Sequence, residues 1–419
     1  MREQLNTLNE DRPGSPPRMS QPTDMIDVQQ LMRETSIEEL NRLAEEYFAR
    51  ETDWTYYLAK PFGSIDETPQ LLINFAVTLQ GLALFRGASV LEFGAGTCWA
   101  SRYLTQLGCR VIAVDVSPTA LAIGQELYRR QPVSGERPEP QFLLWDGKKL
   151  DLPDRCVDRV LCLDALHHVP NLREVMFELG RVLKDGGIAC FAEPGPNHSQ
   201  SPQSQSEMRT FKVIENDIEM ATIWQHAVEA GFTDLKLAIF NVPPVHLSLQ
   251  EFEDFVNGGP AVENYGRVVS DFMQNQRTFF LYKGAGDLPD SRFRVGLHAV
   301  IKISPDLVEA NAGEPFNVQA TVTNDCNSLW LPKNAGPGAV HLGCHVYNDK
   351  GELYDHDFHW EPLTADERKI FPGETVSVEV HLPPLPQGKY ILEFDMVSYD
   401  VTWFSRVGSP VVRIAADVK

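Results

Sequence analysis

The chain has 419 residues and a formal charge of −21, from 37 basic and 58 acidic side chains, with 43% hydrophobic and 10% aromatic residues. This is ordinary globular composition, long enough for two or three domains with cores of their own, and it excludes disordered and fibrous classes. Both the stretch before residue 290 and the stretch after it are net acidic, so neither nucleic acid nor an anionic membrane is expected as the main partner.

Residues 1–24 are polar and rich in Pro and Ser, which predicts a disordered tail. Ser36, with Glu39 three residues on, predicts a capped helix whose apolar face carries Ile37, Leu40, Leu43, Ala44, Tyr47 and Phe48. A second helix is predicted from Asp66 to Leu84, ending near Gly87. No stretch is apolar for long enough to span a bilayer; the best, Leu71 to Phe85, is interrupted by Asn74, Thr78, Gln80 and Gly81. The N-terminus lacks the apolar run of a signal peptide. The seven cysteines include no Cys-x-x-Cys pair. Together these features predict a reduced, cytoplasmic protein.

From Ala88 short apolar strands alternate with helices. Strands are predicted at Ser89–Phe93, Arg110–Asp115, Gln141–Trp145, Arg159–Leu163, Gly187–Glu193, Leu235–Phe240 and Arg277–Tyr282. Helices fall between them, and a helical insertion at 243–275 precedes the last strand. The alternation predicts an α/β fold, a Rossmann-like, doubly wound and mostly parallel sheet. Turn residues at 283–290 mark a boundary, after which strand-like runs at Val295–Ile303, Phe316–Thr323, Val340–Tyr347, Thr375–Leu382 and Tyr390–Val397 predict an immunoglobulin-like antiparallel β-sandwich. The expected organisation is a tail at 1–24, an α/β domain at 25–284 with an N-terminal helical lid, and a sandwich at 290–419.

Chemistry concentrates at the strand ends. The first strand closes on Glu92 and runs into Gly94-Ala95-Gly96, a turn that lets a ligand approach the backbone at a helix N-terminus. Asp115, followed by Val116, ends the second strand, where a carboxylate accepts from ribose hydroxyls. Asp146-Gly147 follows the third strand and Asp164 closes the fourth. Four acids around one crevice suit a cationic ligand better than a pyrophosphate. A nicotinamide dehydrogenase is disfavoured on the same ground, and because Cys98 stands where that family needs a third small residue.

These residues, with Asp164-Ala-Leu-His-His168, Leu183-Lys-Asp-Gly-Gly187 and the late Phe279–Tyr282 strand, resemble a class I S-adenosylmethionine-dependent methyltransferase over about residues 66–284. The resemblance implies S-adenosyl-L-methionine as cofactor, held by Glu92, Gly94, Ala95, Gly96, Asp115, Val116, Asp146, Gly147 and Asp164. A hydroxyl acceptor needs a base, and His168, His167 and His198 lie beyond the fourth and fifth strands on the cofactor side. Glu193 is a candidate for orienting the acceptor. Tyr56 and Tyr57 are candidates for a lid segment, or for an aromatic cluster that pins the N-terminal helices.

In the last third, His341, His345, His356 and His359, with Asp355 and Asp357, match no metal spacing and read as an exposed strand, so no metal ligand is expected. This part resembles the glycan-binding β-sandwich of O-antigen ABC transporters. The combination implies O-methylation of a sugar in a surface polysaccharide or a glycolipid precursor. The alternatives are an unrelated small-molecule acceptor, with the sandwich serving a homodimer, and an interaction protein with a vestigial cofactor site.

Overall fold

The computed structural model describes residues 25–240, 242–284, 289–364 and 367–419. The expected tail at 1–24 lies outside the described residues, as do 285–288 within the expected boundary.

Among the described residues four helices come first: α1 (Val28–Glu34), α2 (Ile37–Ala49), α3 (Thr55–Ala59) and α4 (Thr68–Leu82). Then β1 (Ser89–Phe93), α5 (Trp99–Gln106), β2 (Arg110–Asp115), α6 (Pro118–Arg130), β3 (Gln141–Leu144), β4 (Val157–Leu163), α7 (Leu172–Val182) and β5 (Leu183–Pro194) alternate. Next come α8 (Pro202–Phe211), α9 (Met220–Glu229), β6 (Asp234–Leu237), α10 (Leu249–Val256), α11 (Pro260–Met273) and β7 (Gln276–Tyr282). The sheet runs in the order β3-β2-β1-β4-β5-β7-β6, parallel except where β7 pairs with β5 and β6. The α/β architecture is thus Rossmann-like and mostly parallel. Helices cover both faces of its central strands, so β1 and β4 are buried nearly end to end and read as continuous apolar runs. Connections from β1 proceed outward to β2 and β3, whereas β4 lies on its other side. That reversal opens a crevice beyond the carboxyl ends of β1 and β4.

Local signals are partly realised. The Ser36 side chain accepts from the Glu39 N–H at 3.2 Å, but the Glu39 carboxylate is held by Arg42 at 2.6 Å instead of closing the capping box. Helix α4 ends at Ala83, in a left-handed conformation with φ 45°, four residues before Gly87. Buried Arg159 explains the early stop, since its guanidinium donates to the Leu82 and Ala83 carbonyls at 2.5 and 3.2 Å.

The C-terminal region is β-rich: β8 (Ala299–Ser304), β9 (Leu307–Ala310), β10 (Phe316–Asn324), β11 (Val340–Asn348), β12 (Leu353–Pro362), β13 (Thr375–Leu382), β14 (Gly388–Ser398), β15 (Thr402–Trp403) and β16 (Val412–Val418). Strands β13-β10-β8 form one antiparallel sheet and β12-β11-β14-β16-β9, with β15 on β14, form another. Strand β8 alternates buried and exposed residues, as a sheet with one wet face must. Val318, Val322 and Val380 of the first sheet share an apolar core with Leu342, Leu392 and Phe394 of the second. The antiparallel expectation fails at one pair: β9 runs parallel to β16. Only two residues separate β9 from β8, so the chain changes sheets there without reversing.

The β-rich region meets the α/β part just ahead of β1. Phe85 and Phe293 pack at 5.3 Å, the Arg292 guanidinium lies 4.0 Å over the Phe85 ring, and Arg86 pairs with Asp400 at 2.6 Å. This seam is at the amino end of β1; the crevice is at its carboxyl end.

Candidate active site

A cavity of about 260 Å³ occupies the crevice. Gly94, Gly96, Asp115, Val116, Trp145, Gly147, Asp164 and His168 line its sheet side. Helix α2 roofs it with Ile37, Leu40, Asn41, Ala44, Tyr47 and Phe48. Gly94 has φ 65°, and a Cβ there would stand 2.3 Å from the Ala165 Cβ, so only glycine fits. Asp115 accepts from the Gly96 and Ser117 N–H groups at 2.7 and 2.9 Å, which ties the Gly94–Gly96 turn to the end of β2. Burial pushes its carboxyl up, against those two donors. Ala95 is buried beneath the turn.

Cys98 takes a left-handed conformation (φ 60°) that a glycine would adopt without strain. The space is made elsewhere: a Cβ on Gly124 of α6 would meet the Cys98 Sγ at 2.5 Å. The glycine absent from the loop is therefore answered by one in the facing helix.

Two of the four strand-end acids, Asp115 and Asp164, line the cavity. Asp164 has φ 48° and is accessible from the cavity while protein walls it in. Burial, then the nearby Glu193 charge, pushes its pKa up to about 7, opposed by Lys60. Glu92 lies below the loop, 3% exposed, and accepts from the Ser101 hydroxyl. Burial pushes it up to about 7. Asp146 is exposed; its carboxylate accepts from the Lys148 and Lys149 N–H groups at 2.8 and 3.2 Å, while Gly147 beside it reaches the cavity.

The helix over the cavity is α2 rather than the Tyr56–Tyr57 segment. Asn41 donates to the Asp146 carbonyl at 2.8 Å, and Glu38 pairs with Lys148 at 2.5 Å. Glu45 accepts from the Ser117 hydroxyl and the Thr119 N–H, at 2.6 and 3.1 Å, at the start of α6. Tyr56 and Tyr57 lie on α3. Tyr56 donates to Glu67, Tyr57 packs on Phe48 at 5.9 Å, and the Lys60 ammonium sits 5.3 and 5.9 Å from the two ring centres. They support the roof from behind; neither is a lining residue.

The three candidate histidines do converge. His167 and His168 have ring centres 3.9 Å apart, and His198 lies 5.0 Å from His167. Glu193, fully buried at the end of β5, accepts from the backbone N–H groups of Ala165, Leu166 and His167 at 3.1, 3.0 and 3.3 Å, and pairs with His167 Nδ1 at 2.7 Å. It thus shapes the turn after β4 and orients His167; it is not a lining residue. Burial drives His167 well below the ordinary imidazole range. His168 faces the cavity, and its Nδ1 lies 2.5 Å from the Ile214 carbonyl. A carbonyl only accepts, so Nδ1 carries the proton and Nε2 keeps its lone pair. Glu215, which no sequence motif singled out, pairs with His198 Nε2 at 2.7 Å and stands 3.6 Å from His168 Nδ1. Burial pushes Glu215 up, but its histidine neighbours outweigh that and hold it below the usual range.

Residues 91–191 match the family model described as a methyltransferase domain. A demethylmenaquinone methyltransferase of Tropheryma whipplei is 31% identical over 118 residues, 27% of this chain and 46% of that protein. A ubiquinone biosynthesis O-methyltransferase of Pseudomonas fluorescens is 29% identical over 156 residues, 37% and 61%. The chain thus spans less than two thirds of the length of these curated relatives. Among solved structures, a Haemonchus contortus phosphoethanolamine N-methyltransferase 2, in complex with phosphomonomethylethanolamine and S-adenosylhomocysteine, has a TM-score of 0.42 at 15% identity, covering 60% of this chain and 61% of that one. Two carboxylates at a glycine turn fit a cofactor that carries a sulfonium. Residues 91–191 carry a methyltransferase domain, and its cofactor is S-adenosylmethionine.

Proposed function

We propose that the whole chain is an S-adenosylmethionine-dependent methyltransferase that acts on a hydroxyl group. The observation that carries this reading is His168, which lines the cavity and whose Nδ1 contact to the Ile214 carbonyl leaves Nε2 with its lone pair free to act as a base. S-adenosylmethionine supplies a methyl group on a positively charged sulfur. Asp115 binds the ribose hydroxyls, the Gly94–Gly96 turn admits the amino-acid portion, and Gly147 with the α2 roof encloses the base. Asp164 lies toward the sulfonium, where a negative charge favours the cation. The roof excludes water, which aligns the acceptor oxygen with the methyl carbon and keeps it from competing solvent. As the oxygen–carbon bond forms and the carbon–sulfur bond breaks, His168 Nε2 takes the hydroxyl proton, and Glu215 stabilises the imidazolium. Removing such a base costs about 10²–10⁴ in turnover. His168→Ala is therefore expected to lose methyl transfer, measured by mass spectrometry of the acceptor, while binding S-adenosylmethionine as before by calorimetry. Undiminished transfer refutes the assignment.

For the acceptor, the reading is a saccharide of a surface polysaccharide or glycolipid precursor. It is supported by aromatic rings gathered on one side of the β11–β12 pair: Trp360 lies 5.5 Å from Trp403 and 6.2 Å from Tyr399, which is exposed. We take 290–419 as a separate immunoglobulin-like domain and 25–284 as the catalytic one, in a reduced, cytoplasmic setting supported by seven free cysteines. Every lining residue falls between 37 and 214, so the sandwich would hold the far part of a long acceptor. A second reading, a hydroxylated aromatic or other small metabolite with the sandwich serving a homodimer, is favoured by the largely apolar roof and by the quinone-pathway names of the relatives. Methyl transfer to a panel of oligosaccharides and phenols separates the two.

A further inference from the structure

We propose that His167, His198 and Glu215 bind one divalent transition-metal ion beside the proposed base. The three come from separate elements, the turn after β4, the turn after β5 and the segment between α8 and α9. Yet one potential ligand atom from each lies within 4.8 Å of the others. His167 Nε2 stands 4.0 Å from Glu215 Oε2. That is too far for a hydrogen bond; atoms bound to one ion at about 2.1 Å stand roughly 3.0–3.4 Å apart, so a small side-chain shift would bring both onto an ion. His198 Nε2 lies 2.7 Å from the same oxygen and would give up that contact to the ion.

The surroundings are those of a metal centre. The Nδ1 of His167 faces Glu193 at 2.7 Å, and Glu193 is fixed in turn by three backbone N–H groups. Outer carboxylates of this kind fix the tautomer and orientation of a ligating histidine. The side chains of His167 and Glu215 are 7% exposed, whereas His198 is 24% exposed and leaves a way in. Two imidazoles and one carboxylate select Zn²⁺, Fe²⁺, Co²⁺ or Mn²⁺ over Mg²⁺ or Ca²⁺, which prefer all-oxygen sites, and three protein ligands leave positions open. Those positions lie next to His168, where the acceptor oxygen would enter; this last point rests on the methyltransferase reading, whereas ion binding does not.

The test is titration of the chelator-treated full chain with Co²⁺, followed by calorimetry and by visible absorption, which reports histidine coordination. One ion per chain is expected. His198→Ala and Glu215→Gln should each weaken it at least 10-fold, and Glu193→Gln by about 10–100-fold. Circular dichroism of each variant checks that it is folded, and S-adenosylmethionine binding should persist in all three. No binding by the folded wild-type chain overturns the site. So does wild-type affinity in both His198→Ala and Glu215→Gln, which would place the ion at other residues. If ion binding follows the proposal but no acceptor is methylated, the metal site stands and the functional reading falls.

Discussion

Glu92 gives a prediction that turns its burial into a pH dependence of folding stability. It is fully buried, accepts from Ser101, and burial pushes its pKa from the ordinary 4.5 to about 7. The folded chain therefore holds the proton more tightly than the unfolded chain does. The associated stability is complete below pH 4.5 and is lost as pH rises through 7. At about 1.36 kcal/mol per unit, the loss between pH 5 and pH 8 is about 2.5 kcal/mol. Glutamine keeps the size and an acceptor for Ser101 but has no proton to release. The stability of Glu92→Gln relative to wild type should therefore rise by about 2.5 kcal/mol from pH 5 to pH 8. Denaturant unfolding of both proteins at the two pH values measures this difference, in which the other titrating groups cancel. A relative stability constant to within about 0.5 kcal/mol would show that Glu92 is ionised throughout, and the burial argument would fail.

Three further outcomes follow from particular contacts. Gly124→Ala drives a methyl group into the Cys98 sulfur and should cost about 1–3 kcal/mol in thermal unfolding, with Cys98→Gly in the same chain restoring most of it. On the proposed reading, Asp115→Ala removes charge-assisted bonds to the cofactor ribose, each worth about 1.5–3 kcal/mol, so S-adenosylmethionine affinity by calorimetry should fall at least 10-fold. Asn41→Ala releases one tie between α2 and the Asp146 carbonyl, and a loss of about 0.5–1.5 kcal/mol should weaken cofactor binding roughly 2- to 10-fold while the fold is kept.

The α/β half was legible because its central strands are buried on both faces and so carry uninterrupted apolar runs, each closed by an acid or a glycine turn. Asp115, Gly94, Gly96, Gly147 and Asp164, which line the cavity, stand at those strand ends. Helix α8 and strand β16 carry no such signal, being a polar helix of ten residues and a strand of mixed polarity. Aromatic content marks both α2 and the Tyr56–Tyr57 segment, so sequence leaves a lid and a pinning cluster equally open for the two tyrosines. Which segment covers the cavity depends on Glu45, Asn41 and Glu38 reaching residues 72 to 110 positions away. Glu215 had no local signature at all. It is significant only because the chain returns it to histidines 17 to 48 residues earlier, a fact of tertiary structure.

The position of the β-rich region bears on the acceptor. Its seam, at Phe85, Arg86, Phe293 and Asp400, lies at the amino end of β1, whereas the cavity opens at the carboxyl end of the same strand. Five residues at about 3.3 Å each keep seam and cavity roughly 17 Å apart, beyond the span of a single sugar ring. If the aromatic side of β11–β12 binds saccharide, it does so as a second foothold, and its benefit must grow with acceptor length. Linking two such sites raises the effective concentration of the reacting end only when the ligand reaches both. Trp360→Ala should then raise KM for a long oligosaccharide and leave a monosaccharide unaffected. Equal effects on both would place Trp360 in the packing of the region and remove the main support for a polymeric acceptor.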